Sequence, residues 1–303
     1  MLTTMQDSAF QREAITAINE FCPKVQELTF VEHGADNIIA LVNKEFVFRF
    51  PRHEDAAKRL AYETALLQKI AGRITSTTIP EVVKVRTMPL YVVAKYIPGD
   101  HLTGEQIRNL PEEQQVAIGH KIAEFITQLN QAISGLEIRR IRAEAAIDAI
   151  DEPWPVYFNR LFVESPLPNA NLRPIIDTYY SQWKYNIGVE QAVSAIHDDL
   201  HPSNLLFEGG QLTGIVDFGD TNTGSIESEL RWLYLMGDTV LKSAISHYQS
   251  LTGVSIDYDR VKVWAVMHEL SSFTNGLRQQ KTDTFPFMRA QENLRRWIPG
   301  FPL

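Results

Sequence analysis

The segment HDDLHPSNLLFEGGQLTGIVDFGD, residues 197–220, limits the fold more than any other stretch of this chain. Two short apolar runs, LLF and GIV, flank Glu208-Gly209-Gly210-Gln211 and read as a β-hairpin. In an antiparallel pair closed by a two-residue turn, opposed residues keep a constant index sum. Glycine at the first turn position suits a type II′ turn, so a turn at Gly210-Gln211 is expected. That register sets Asn204 opposite Asp217, with Cβ atoms about 5 Å apart. An amide oxygen and a carboxylate at that spacing can share one hard cation. Mg²⁺ suits them, because it takes one or two carboxylates together with phosphate oxygens and water. A one-residue shift of the turn removes the pairing. Asn and Asp are also ordinary residues at strand ends; here both stand at the same open end of one hairpin, beside apolar runs.

His197, Asp198 and Asp199 precede the hairpin in a loop. His197 and His201 have the spacing of a helical zinc pair, but Pro202 argues against a helix and no third ligand follows.

Upstream, short strands alternate with single helices. SAFQREAITAINEF (8–21) reads as a helix capped by Asp7 or Ser8. ELTFVEH, NIIALVN and EFVFRFP read as strands, with turns at Gly34-Ala35-Asp36 and Asn43-Lys44. DAAKRLAYETALLQKIAG is a helix that begins with acid and stops at Gly72. EVVKV (81–85) and YVVAKYI (91–97) complete the strands before Pro98-Gly99-Asp100 breaks the pattern. Helical periodicity then dominates: 111–133, and near 154–163, 170–184, 225–237, 257–277 and 286–297. A small β-rich lobe, a hinge near 95–99 and a larger helical lobe with one embedded hairpin follow, with a ligand cleft between them.

The helix after EFVFRFP carries a second signal. Ala56, Leu60, Leu67 and Ile70 form one apolar stripe, and Glu63 falls in its middle. An inward carboxylate needs a partner. Phe46, Phe48 and Phe50 share one face of the preceding strand, so Arg49 takes the other face and is placed to meet Glu63. The pair either orders the lobe or holds a cation for an anionic ligand such as phosphate.

The 303 residues carry 29 basic and 37 acidic side chains, a formal charge of −8, which argues against a nucleic-acid partner. A single cysteine, Cys22, excludes an internal disulfide and a cysteine-based zinc site. The N-terminus lacks the pattern of a secretory signal, and no apolar run is long enough to cross a membrane. A cytoplasmic protein is expected.

These segments resemble a known family. HDDLHPSN resembles the H-x-D-x-x-x-x-N catalytic loop of the aminoglycoside phosphotransferases and related small-molecule kinases, and IVDFGD (215–220) their metal-binding segment. FVFRFPR with YETALL resembles the third strand and following helix, VEHGADNIIALV the first hairpin, and YVVAKYIPG the hinge. FVFRFPR and DFGD look closest to the bacterial aminoglycoside 2″-phosphotransferase branch. The resemblance implies an α+β, bilobal, protein-kinase-like fold. A nucleotide-binding lobe of antiparallel sheet would span 1–97, and a helical lobe with the catalytic loop and acceptor site 98–303. Asp199 would be the catalytic aspartate and His197 the structural histidine of its loop. Asn204 and Asp217 would hold Mg²⁺, Arg49 and Glu63 would serve the nucleotide phosphates, and Lys95, Tyr96 and Ile97 would receive the base of ATP or GTP.

The chain departs from the pattern in three places. Arg49 stands where kinases usually have lysine. Gly34 is the only glycine of the first hairpin. TNTGSIESELRWL, with Glu227 and Glu229, replaces a D-P-x-x-D run. The stretch from Asp217 to Ser225 is too short to dock a peptide, so a small hydroxylated acceptor is expected. For a cationic one, an aminoglycoside antibiotic above all, the acidic candidates are Asp198, Asp220, Glu227 and Glu269. Resistance would then be the physiological role. Choline, homoserine, a thioribose or another sugar-like alcohol stay open, with Trp154, Tyr157, Trp232, Tyr234 and Trp264 as a cage for a quaternary amine or simply as core. A nucleotide-binding regulator without turnover is the remaining alternative.

Overall fold

The computed structural model describes residues 9–31, 36–149, 151–187 and 193–302. The proposed cap at Asp7 or Ser8 and the turn glycine Gly34 lie outside them. The first part of the chain runs α1 (Ala9–Phe21), β1 (Leu28–Val31), β2 (Asn37–Val42), β3 (Phe46–Pro51), α2 (Glu54–Ile70), β4 (Val82–Thr87) and β5 (Leu90–Lys95). Its strands form one antiparallel sheet in the order β1-β2-β3-β5-β4.

Strand alternation does what the sequence pattern requires. Phe48 and Phe50 point to one face and are buried with Ala14, Ala17 and Ile18 of α1. Arg49 takes the opposite face, toward α2. That helix opens on Glu54 and Asp55, which complement its N-terminal dipole, and the His53 ring accepts a hydrogen bond from the Ala56 amide. Tyr62, Leu66, Leu67 and Ile70 of α2 join the large core of the second part of the chain. The helix thus couples the sheet to the body that carries the loop 197–204.

That body comprises α3 (Gly104–Arg108), α4 (Glu112–Ala132), α5 (Gly135–Glu144), α6 (Trp154–Asn159), α7 (Arg173–Ile187), β6 (Ser194–Ile196), β7 (Leu205–Glu208), β8 (Gln211–Ile215), β9 (Asn222–Gly224), α8 (Ile226–Leu230), α9 (Leu233–Met236), α10 (Asp238–Thr252), α11 (Tyr258–Arg278) and α12 (Phe285–Trp297). The five-stranded sheet and helical body make a bilobal α+β fold. Helices α1, α2, α4, α7, α11 and α12 fall where periodicity puts them. The reading missed α3, α5 and α10, and it joined α8 and α9 into one helix. Helix α10 lies between Gly237 (φ 114°) and Gly253 (φ 72°), conformations that suit glycine. It packs closely on α4 at Gly119, where an added Cβ would lie 2.5 Å from the Val240 carbonyl oxygen. Among the described residues no helix is long and apolar enough to cross a membrane.

Candidate active site

The hairpin forms, but its register differs from expectation. The turn is Gly209-Gly210, with φ of 58° and 80°, the left-handed values of a type I′ turn. Glu208 pairs with Gln211 and Phe207 with Leu212; an irregularity then shifts the ladder, so that Leu206 pairs with Gly214 and Leu205 with Ile215. The Asn204 carbonyl accordingly accepts from the Val216 amide at 3.0 Å. Asn204 thus faces the residue before Asp217. Asp217 leaves the strand in the left-handed region (φ 64°), so strand parity does not aim its side chain. The two residues still share one end of the hairpin, through a bulge and a turn rather than through direct opposition.

Around that end the side chains interlock. The Asn204 amide nitrogen donates to the Asp199 carbonyl (2.9 Å) and to its carboxylate (2.8 Å). The Asn204 amide oxygen takes no part in these bonds. Asp199 also lies 3.4 Å from His201. Burial works against its charge, but His201 and His197 outweigh it and hold Asp199 below the ordinary carboxylate range. Asp199 is therefore ionised at neutral pH. His197 is fully buried; burial pushes its ring down to about 4, so it stays neutral. Its Nε2 donates to the Val216 carbonyl (3.2 Å), and its Nδ1 accepts from the Asp199 amide (3.3 Å). One neutral tautomer satisfies both bonds, and it fixes the loop to the hairpin.

From the sheet side, Arg49 meets Glu63 as expected, at 2.5 Å, and its other terminal nitrogen lies 3.5 Å from Asp217. Glu63 is buried, and burial raises its carboxyl while Arg49 opposes the rise. Its second oxygen accepts from the Phe218 amide. One α2 carboxylate thus orients both the arginine and the segment after Asp217. The Arg49 Nε is buried and has no acceptor among the described residues.

The partnerships of several residues here escaped the sequence reading. Glu229 of α8 is fully buried and accepts from the amides of His197 (2.9 Å) and Asp198 (2.8 Å). Burial pushes its carboxyl up to about 7, against the help of those two amides. Arg231 and the Trp232 indole both donate to the Asp198 carbonyl, at 2.6 and 2.9 Å. They hold Asp198 in its left-handed conformation (φ 65°). Arg59 of α2 reaches across to Asp220 (3.1 Å) and Asp151 (2.5 Å), and Arg142 bonds Asp151 and the Thr221 carbonyl. The Tyr62 hydroxyl donates to the same carbonyl at 2.5 Å. Only the buried acid in ESEL could have signalled this network, since its partners are backbone groups far along the chain.

The acceptor candidates divide. Asp198, Asp199 and Asp220 line a cavity of about 800 Å³, together with Trp154, Tyr157 and Trp232. Glu269 does not line it: it is fully buried between Arg289 (3.1 Å) and Asn293. Glu227 does not line it either; it is buried on α8, where the nearby charges are Arg260 and Asp257. Neither residue therefore stands on the wall of the cavity that Asp198 and Asp220 line. Tyr234 and Trp264 also lie outside this wall, against Trp297 and within the aromatic core respectively. At the hinge, the Lys95 and Tyr96 amides already donate to the carbonyls of Glu81 and Glu45. A base could not use those two donors. Ile97 lines a different cavity, of about 1360 Å³, with residues 74–82 and the β7–β8 hairpin.

Residues 27–264 match the model of the phosphotransferase enzyme family. The chain belongs to that family. It is an enzyme with the architecture of a small-molecule kinase. Its fold is similar to that of APH(2″)-IIIa in complex with GDP and kanamycin (TM-score 0.74, 21% identity, 95% of this chain and 99% of that one). It is similar also to APH(2″)-IIa in a ternary complex with streptomycin and ATP (TM-score 0.66, 18% identity, 97% of each chain). Macrolide 2′-phosphotransferase MphH from Brachybacterium faecium matches at a TM-score of 0.65 and 16% identity, over 96% of this chain and all of that one.

Proposed function

We propose that this family member transfers the γ-phosphoryl group of ATP or GTP, with Mg²⁺, to a hydroxyl of a small molecule. The observation that carries the reading is the meeting of Asp199, Asn204 and Asp217 at one end of the β7–β8 hairpin, faced by the Arg49–Glu63 pair. Residues 1–97 serve the nucleotide, and residues 98–303 carry the acceptor site and the catalytic loop. The charged Asp199 accepts a hydrogen bond from the acceptor hydroxyl and takes its proton as the new O–P bond forms and the nucleotide's terminal P–O bond breaks. Positioning and charge neutralisation supply the rest.

The residues fit a divalent cation. The Asn204 amide spends its nitrogen on Asp199 and keeps its oxygen, while the Asp217 side chain is half-exposed toward the cleft. Such a sparse donor set suits Mg²⁺ shared with phosphate oxygens. Asn204 and Asp217 would hold it there, where it would supply charge neutralisation to the phosphates. The Arg49 fork can keep Glu63 on one terminal nitrogen while the other, 3.5 Å from Asp217, turns to a phosphate oxygen. The matched complexes with GDP and with ATP support a nucleoside triphosphate donor. They also make aminoglycosides the first acceptors to test, and with them a role in resistance; a site in the cytoplasm fits a nucleotide-dependent enzyme.

The test is a screen of hydroxylated acceptors with ATP and with GTP, following nucleoside diphosphate release with and without Mg²⁺. Release that depends on both acceptor and metal is expected. Binding of nucleotide without turnover on any acceptor would favour the regulator instead.

A further inference from the structure

The acceptor cavity is walled by six acids, yet the protein itself spends nearly all of that charge. Asp198 lies 2.7 Å from Arg231, Asp220 3.1 Å from Arg59, and Asp148 3.1 Å from Arg142. Asp151 gives one oxygen to Arg59 and the other to Arg142, each at 2.5 Å. Glu152 is bound by Arg160. Among the six, Asp199 alone has no arginine, and it is the proposed catalytic group. Arg139 adds a further positive charge to the wall.

The aromatic face is spent too. The Arg231 guanidinium lies 5.5 Å from the Trp154 ring centroid and 5.0 Å from that of Trp232. Those are the positions a quaternary ammonium would take. Arg231 and Arg142 are buried, with side chains 2% and 3% exposed, and an arginine cannot shed its charge. An acceptor amine that displaced either would leave a buried guanidinium without its counter-ion. Arg59 is more exposed, at 23%, and sits on the other lobe's helix, so it is the replaceable member.

Resting on the reading that this cavity receives the acceptor, the geometry points to a bulky, hydroxyl-rich acceptor carrying no more than one amine, with Arg59 as the residue that enforces the limit. A cavity of about 800 Å³ has room for a large ligand. A polycation would need several unpaired carboxylates and would find almost none.

The experiment compares kcat/KM of the full-length protein, with Mg²⁺ and the better of ATP and GTP, for macrolides bearing one amine against kanamycin and gentamicin. The single-amine alcohols are expected to lead by about tenfold or more. Arg59→Ala frees Asp220 and one oxygen of Asp151. It is expected to lower KM for kanamycin by about tenfold, the equivalent of one strong charged contact. Arg59→Lys, which keeps the charge, is expected to hold the parent preference. Should Arg59→Ala fail to fold, the salt dependence of KM in the parent decides: a slope of about one charge is expected. A parent that prefers kanamycin, or a slope of several charges, overturns the inference and leaves phosphoryl transfer standing. Nucleotide binding with no turnover on either class overturns both.

Discussion

Replacing Glu229 by glutamine isolates the support of the loop 197–204. The side chain keeps its shape but loses one acceptor. Glu229 accepts from the amides of His197 and Asp198 with both oxygens; a glutamine offers one oxygen and turns an N–H toward the second amide. One buried amide is left unsatisfied, which costs about 1–3 kcal/mol. An opposing effect depends on pH. The Glu229 carboxyl ionises near 7 in the folded protein rather than near 4.5. Between those values the folded state holds the extra proton, so stability is lost as pH rises through the window. At 1.36 kcal/mol per pH unit the loss reaches about 3 kcal/mol above pH 7. Glutamine does not ionise and escapes it. Protonated Glu229 still accepts through its hydroxyl oxygen, which a glutamine N–H cannot do. The variant should therefore be about 1–3 kcal/mol less stable than the parent near pH 5 and level with it, or slightly better, at pH 8. His197 has the opposite sense: its folded value, about 4, lies below the ordinary 6.5, so stability rises with pH across that interval in both proteins. It cancels in the difference. Urea unfolding of parent and variant at several pH values, followed by circular dichroism, measures the gap. Turnover should fall at least about tenfold at every pH, since loosening the loop misplaces Asp199. A stability gap that does not change with pH would refute the reasoning.

Three further outcomes follow from the same geometry. Asp199→Asn should lower turnover by at least about two orders of magnitude while the thermal transition stays near the parent's, as loss of a positioned proton acceptor requires; steady-state kinetics and a melting curve check it. Asp217→Ala should abolish Mg²⁺-dependent nucleotide binding and leave the weak metal-free binding in place, which calorimetric titration with and without the metal distinguishes. Arg49→Met strands the buried Glu63 and should cost about 3–5 kcal/mol in urea unfolding, most of it recovered when Glu63→Leu is added; a double variant no better than the single one would count against a charge-pair origin.

Local pattern carried much of this protein. Period-two alternation in FVFRFP assigned Phe48 and Phe50 to one face and Arg49 to the other, because a strand has no other way to present them. A charged residue in an apolar helical stripe named Glu63, because a buried carboxylate demands a cation. The string HDDLHPSNLLF named the loop of the candidate site, since polar groups crowded before a buried strand must face something other than core. The hairpin was legible as a hairpin, but its register was not: turns at Gly209-Gly210 and Gly210-Gln211 are both chemically sound, and the choice, with the irregularity after Leu206, is made by packing along the whole hairpin.

The long-range partnerships belong to the tertiary structure. Glu227, Glu229 and Glu269 are all buried acids, and composition cannot rank them. Glu229 supports the loop because α8 brings it under the amides of His197 and Asp198, while Arg289 and Asn293 close over Glu269. Arg59 and Asp220 are 161 residues apart in sequence and 3.1 Å apart in space. The chain determines which groups must be buried or paired, since desolvation acts on each residue where it stands. Which acid meets which arginine is decided only when the helices pack, and that decision sets how much charge the cavity beside Asp199 keeps.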